Sequence, residues 1–183
     1  MSLKTDLSKY NNSWYMPGAS IITRAIWYLV NRLFFISYFP FSSVKIFLLK
    51  FFGAKIGKGL VLKPHINIKY PWRLTIEDNS WIGEGVWIDN LADVVIGQNC
   101  CLSQGAMILC GNHNYKLTSF DLMIDKIIIE DGVWIGAKAI VCPGVTCSTH
   151  AVLTAGSVAV SSLEPYSIYQ GNPAIKIKER VIA

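Results

Sequence analysis

The 183-residue sequence has no apolar run long enough to cross a membrane. Its most lipophilic stretch, the 15 residues Ala25–Phe39, is interrupted by Arg32 and stops at Pro40, whereas a spanning helix needs about 20 residues. Cysteine is sparse: Cys100, Cys101, Cys110, Cys142 and Cys147 are odd in number and form no C-x-x-C. With no leader-like segment ending in small residues, these cysteines read as small apolar side chains in a reducing cytoplasm, which sets the expected location. Charge is low, with 16% of residues ionised and 52% apolar, which excludes disorder. The net charge of +5 is split between an early group (Lys4, Lys9, Arg24, Arg32) and a late one (Lys176, Lys178, Arg180). No basic motif is interleaved with aromatics, so nucleic acid is not an expected partner. A phosphorylated cofactor or an anionic membrane surface accounts for the same charge.

What the chain does have is a beat. From Ile56 an aliphatic residue recurs every six positions: Ile56, Leu62, Ile68; Ile76, Ile82, Ile88; Ile96, Leu102, Ile108. After a gap it resumes at Ile129, Ile135, Val141, Cys147, Leu153 and Ala159. The next residue is often Gly or acidic, and the fifth position is small or β-branched, as in Ser80, Val86, Cys100, Ala106 and Ala139. A period of six suits neither a helix nor one extended strand. It fits a short strand and a turn, three of which close a triangular coil of eighteen residues. The two steps of eight, Ile68 to Ile76 and Ile88 to Ile96, place two-residue insertions at one recurring corner. The fold predicted is an all-β parallel β-helix, its stacked coils sharing one aliphatic core.

Such a solenoid has open ends that must be covered. Two amphipathic helices, about Ile21–Phe39 and Ser42–Phe52, suit one end, with Lys45 and Lys50 read as lying on one helical face. Their aromatic density also allows peripheral contact with a membrane. The expected organisation is a helical segment 1–52, a β-helix 53–163 and a tail 164–183.

The beat breaks after Ile108. Counting on by six reaches Asn114, Phe120 and Lys126, which cannot form an apolar layer, so 111–126 is predicted to protrude as a single loop. His113 stands at its root, and histidine can take a proton near neutral pH. A long loop on a rigid scaffold is a usual carrier of function.

The segment LCGNHNYK (109–116), followed by IIIEDGVWIGAKAIVCPGVT (127–146), resembles the hexapeptide-repeat acetyltransferases of the galactoside, maltose and nodulation-factor type. Among them it is most similar to those provisionally assigned to colanic-acid and capsule biosynthesis, which also carry an aromatic N-terminal segment. The resemblance covers about Gly53 to Arg180. It implies a left-handed β-helix, acetyl-CoA as co-substrate, a homotrimer and a sugar or glycan acceptor. His113 would be the catalytic general base, oriented by Asp121 or Asp125, because Asn114 replaces the aspartate common after this histidine. Asp89, with Asn90 beside it, would bind the acceptor. Trp134, Gly136, Ala137 and Ala155 would line the pantetheine arm, and Lys178, in the ending YQGNPAIKIKER (169–180), would lie near the cofactor phosphates. Ile175 and Ser161 stand where the family often has basic residues, so Lys176 and Lys138 are alternative phosphate contacts.

Other readings remain open at this level. A different acyl donor or an amine or serine acceptor would suit the same residues. A non-catalytic scaffold would need neither the loop histidine nor Trp134. A zinc site requires convergent histidines; His65, His113 and His150 fall on distant coils, and no metal is expected.

Overall fold

The computed structural model describes residues 3–183. Short parallel strands form three faces of a prism. The first face stacks Lys55–Ile56, Leu74–Ile76, Val94–Ile96, Ile127–Ile129 and Thr146–Cys147. The second stacks Val61–Leu62, Trp81–Ile82, Cys101–Leu102, Trp134–Ile135, Val152–Leu153 and Ser167–Gly171. The third stacks Asn67–Ile68, Trp87–Asp89, Met107–Leu109, Ile140–Val141 and Val158–Ala159. This is the parallel β-helix that the six-residue period predicts.

The registers explain the beat. Ile56, Ile76, Ile96, Ile129 and Cys147 pair in one vertical ladder. Leu62, Ile82, Leu102, Ile135 and Leu153 form the second, and Ile68, Ile88, Ile108, Val141 and Ala159 the third. Every rung is buried except Ile56, which is half-buried at the open end. Stacking apolar side chains of adjacent coils removes both from water at about 25 cal/mol per Å2. The small fifth-position residues fill the corners beside them. Where one is polar it is paired: the buried Ser80 hydroxyl donates to Gly97 O at 2.7 Å and accepts from Cys100 N–H at 3.0 Å. Three residues after many rungs the chain takes a positive φ, as at Asn79 (58°) and Gly85 (72°), and this turns each corner.

The helices close the lower end, α1 being Ile21–Val30 and α2 Ser42–Phe51. Ser20 caps α1 by accepting from Thr23 N–H. The first helix is shorter than predicted, because the chain passes into a π-helical turn at Asn31–Phe35 and leaves helical structure before Phe39. That turn buries Asn31, whose amide donates to the Asn67 side chain at 2.8 Å. The terminal coil's free carbonyls are met from the helices. Trp27 Nε1 donates to Ile68 O at 2.9 Å, Ser42 Oγ to Leu62 O at 2.8 Å and Lys45 Nζ to Lys63 O at 3.1 Å. Lys45 is therefore fully buried while Lys50 is exposed, so the two do not share a solvated face.

At the other end, Ser167–Gly171 pairs parallel with Val152–Leu153, and Ala174–Glu179 returns antiparallel along it. The second face thus extends to Gly171, into the predicted tail. Arg180 Nη1 donates to Gly132 O and His150 O.

Candidate active site

One corner of the prism carries the site, where the third face hands over to the first. In the first coil that corner holds Lys69 and Tyr70, in the second Asp89 and Asn90. In the third the chain leaves as a hairpin, Gly111–His113 pairing antiparallel with Leu122–Ile124. The insertions and the long loop are successive enlargements of one turn, and they stack. Gly111 packs against Leu91, whose Cδ1 would lie 2.6 Å from a Cβ there and would have to swing aside.

His113 projects from the first hairpin strand, half-buried. Its Nδ1 lies 2.9 Å from the backbone oxygen of Phe120, and its ring stacks on the Phe120 ring with centroids 4.5 Å apart and planes 8° from parallel. Tyr10 packs on it from outside at 5.8 Å. A carbonyl oxygen only accepts, so Nδ1 carries the proton of the neutral ring and Nε2 keeps its lone pair. The orienting partner is thus neither of the predicted carboxylates. Asp125 accepts from Lys126 N–H and lies beside Gly144, while Asp121 uses its carbonyl to bind Asn114 N–H.

A cavity of about 690 Å3 opens beside His113, lined by Asp89, Lys69, Tyr70, Arg24, Tyr10 and Tyr15 among others. Asp89 pairs with Lys69 at 2.8 Å, a consequence of their equivalent places after Ile68 and Ile88 on neighbouring coils. Asn90 does not reach this space. It is fully buried, its amide donating to Tyr70 O at 2.6 Å and accepting from Tyr70 N–H at 2.9 Å. Its place is to hold Tyr70, so of the two residues expected to face an acceptor only Asp89 lines the cavity.

The third wall was not legible as a wall. Residues 6–17 run across the corner as a strap, ahead of the helices. Asp6 N–H donates to Thr118 O, Tyr15 Oη to Leu91 O at 2.8 Å, Trp72 Nε1 to Pro17 O and Arg73 Nη2 to Met16 O. Burial pushes the Tyr15 phenol up to about 12, so it stays a neutral donor. Tyr10, Tyr15, Arg24 and Lys69 are site residues that sequence reasoning missed. Only the aromatic and amide-rich SKYNNSWY (8–15) hinted at a contribution from this segment.

Trp134 lies elsewhere, on the second face, and does not line the cavity of its own chain. Its exposed indole is held by an Nε1–H donated to Ser103 Oγ at 2.9 Å. Gly136 is small for an internal reason: a Cβ would sit 2.5 Å from Ala155 N in the next coil. Ala155 is exposed and Ala137 half-exposed beside it, with exposed Lys138 in the following turn and Lys178 outermost in the ladder. A half-exposed indole, a rim of small residues and nearby cations fit one wall for a thin pantetheine arm and its phosphates.

No family model matches the chain. WcaF of Escherichia coli, the provisionally named colanic acid biosynthesis acetyltransferase, is 34% identical over 96% of this chain and 97% of its own. The chain belongs to the hexapeptide-repeat acetyltransferase family. A hexapeptide-repeat acetyltransferase of Vibrio cholerae O1 biovar eltor, solved with acetyl-CoA, superposes with a TM-score of 0.80 at 20% identity, covering 90% of this chain and 92% of that one. Galactoside acetyltransferase in complex with coenzyme A gives 0.76 at 21% identity over 86% and 80%. The solenoid is therefore the left-handed β-helix of these acetyltransferases, and the chain is an acyltransferase of that family.

Proposed function

We propose that the protein transfers an acetyl group from acetyl-CoA to a hydroxyl of a sugar or glycan intermediate, with His113 as general base. The observation that carries this reading is the Nδ1 contact to Phe120 O, which leaves Nε2 basic at the edge of a polar cavity. Nε2 takes the proton of the acceptor hydroxyl as its oxygen attacks the thioester carbonyl, and returns it to the departing thiolate. Asp89 accepts from a second acceptor hydroxyl and fixes the sugar's orientation. The stack on Phe120 and the cover of Tyr10 hold the imidazole plane while the proton moves.

The working unit is a homotrimer. Within one chain His113 and the Trp134 wall lie on different faces, so a neighbouring subunit would bring the second wall to the histidine. The ladder of exposed Trp81, half-exposed Cys101 and exposed Trp134 offers that neighbour an apolar surface. The location is cytoplasmic, and the exposed Ile22, Leu29, Leu33, Phe47 and Phe51 of the N-terminal helices suit peripheral contact with a membrane. Among the described residues no helix is long and apolar enough to cross one.

The test is calorimetric titration of acetyl-CoA into wild type and His113→Ala, followed by turnover with sugar acceptors. One site per chain in both proteins, with turnover lost only in the variant, is the expected result. Absence of binding to either would overturn the donor, and equal turnover would overturn the base.

A further inference from the structure

The cavity beside His113 does not end at Asp89. A second space of about 480 Å3 adjoins it, and both are bordered by Arg24, Lys69, Tyr70 and Asp89. Arg32, Asn31, Asn67, Trp27, Tyr28 and Trp87 also line the second. Arg24 stands between them on α1, and its Nε is shielded from solvent with no acceptor among the described residues. A buried donor without a partner is costly, the more so when it is charged. The fold nevertheless holds it at a cavity wall, where a ligand can supply the missing oxygen.

Charge indicates which ligand. Three cations, Arg24, Lys69 and Arg32, border the joined space, and the one carboxylate, Asp89, is already paired with Lys69. The surplus is two positive charges. A uronate would bring one negative charge, whereas a phosphate monoester carries about −1.5 to −2 at neutral pH and several acceptor oxygens for a guanidinium fork.

We propose that the acceptor is a phosphorylated sugar, its phosphate seated at Arg24 with Lys69 and Arg32 beside it, and its reacting hydroxyl directed along the first cavity to His113. The inference rests on the acetyl-transfer reading for the hydroxyl, but the phosphate seat exists or fails on its own. Asp89 and Lys69 then divide the labour: the carboxylate orders sugar hydroxyls, and the ammonium bridges it to the anion. Neutral glycosides enter the same space without satisfying Arg24, so they bind as poorer acceptors.

The test is direct binding without acetyl-CoA. Inorganic phosphate, galactose 1-phosphate, glucose 1-phosphate, galacturonate and methyl galactoside are titrated into wild type, Arg24→Gln, Arg24→Lys and Arg32→Gln at fixed ionic strength. Expected for wild type is one inorganic phosphate per chain, with a sugar phosphate at least about tenfold tighter than methyl galactoside, the scale of one charge-assisted hydrogen bond. Arg24→Gln should abolish that preference, Arg24→Lys recover part of it and exposed Arg32→Gln weaken it less. Acetyl-CoA titration reports whether each variant is folded, and its failure in wild type would sink the transfer reading without touching the phosphate result. No phosphate binding in wild type, equal binding in Arg24→Gln, or galacturonate matching the sugar phosphates would overturn the proposal. So would Arg24-dependent binding to phosphatidylglycerol vesicles with none to the soluble phosphates, since the cations would then serve a lipid surface.

Discussion

His113 and Phe120 are joined twice, once by the 2.9 Å contact between the imidazole Nδ1 and the Phe120 carbonyl and once by their parallel rings. The carbonyl selects the tautomer and the ring fixes the plane, so one residue does what a carboxylate and a packing wall do separately in other sites. Removing the ring should leave the tautomer intact and loosen the aim. Phe120→Ala is expected to lower kcat about tenfold with little change in acetyl-CoA binding, because misplacement of a base affects the transition state more than the ground state. Asp121→Ala and Asp125→Ala should stay within about twofold of wild type if the carbonyl is the orienting group. Steady-state kinetics on the three variants decides it, and a larger loss in either aspartate variant would restore a carboxylate partner.

The Asp89–Lys69 pair separates a binding role from a structural one. Its side chains are 18% and 39% exposed, so the pair is partly screened and contributes up to about 1 kcal/mol to stability. Asp89→Asn should therefore shift the unfolding temperature by only a few degrees. If the carboxylate orders the acceptor, KM for that acceptor rises about tenfold in the variant, the loss of one charge-assisted hydrogen bond. Thermal unfolding together with acceptor kinetics checks both halves. A large fall in melting temperature with unchanged KM would make Asp89 a strut.

The prism and its broken corner were legible because aliphatic spacing maps directly onto the ladders Ile56–Cys147, Leu62–Leu153 and Ile68–Ala159. The site was legible only in part. His113 stood out as the residue where the period fails, but its orienting partner is a main-chain oxygen, which leaves no trace in residue identity. Asn90 looked like a polar neighbour of Asp89, yet side chains alternate along extended chain, so consecutive residues point to different sides. Lys69 could have been found: it follows Ile68 as Asp89 follows Ile88, one coil apart. The strap 6–17 could not, since its course depends on distant bonds to Leu91, Trp72 and Arg73. Lys45 misled for a physical reason, because a lysine with a long apolar stem can be buried when a carbonyl waits at its tip.

Thiol chemistry should be confined to two of the five cysteines. Burial pushes the Cys110 and Cys147 thiols up to about 12 and Cys100 to about 11, so none forms appreciable thiolate near neutral pH. Cys101 and Cys142 are half-exposed. Iodoacetamide at about pH 8 should label at most these two in the native protein, Cys142 slowly because burial raises its thiol and Cys101 only where the neighbouring subunit does not cover it, and all five only after unfolding. If transfer to an acceptor is direct, with His113 as base and no cysteine nucleophile, Cys110→Ala and Cys147→Ala should keep turnover in whatever fraction remains folded. Peptide mapping after labelling is the measurement, and rapid native labelling of Cys110 would contradict its burial.

Lys45 gives the clearest stability prediction. Its ammonium is buried under the first coil, with one acceptor among the described residues, Lys63 O at 3.1 Å, and burial lowers its pKa below the ordinary 10.5. The charged form is therefore penalised in the folded protein. Lys45→Met keeps the stem and drops the charge, so it removes the cost of a desolvated ammonium, offset by about 1 kcal/mol for the lost bond to Lys63 O. The pH dependence has a definite sign. Below the folded pKa both states hold the proton, and the penalty is complete. Between the folded pKa and 10.5 the native state sheds its proton while the unfolded chain retains it, so wild-type stability gains on the variant as pH rises. Paired denaturant titrations from about pH 7 to 10.5 should show the methionine variant's advantage greatest at neutral pH and shrinking toward the lysine's unfolded value. An advantage that stays flat across that window would mean Lys45 keeps its proton there, and a variant less stable at pH 7 would mean its bond to Lys63 O outweighs its desolvation.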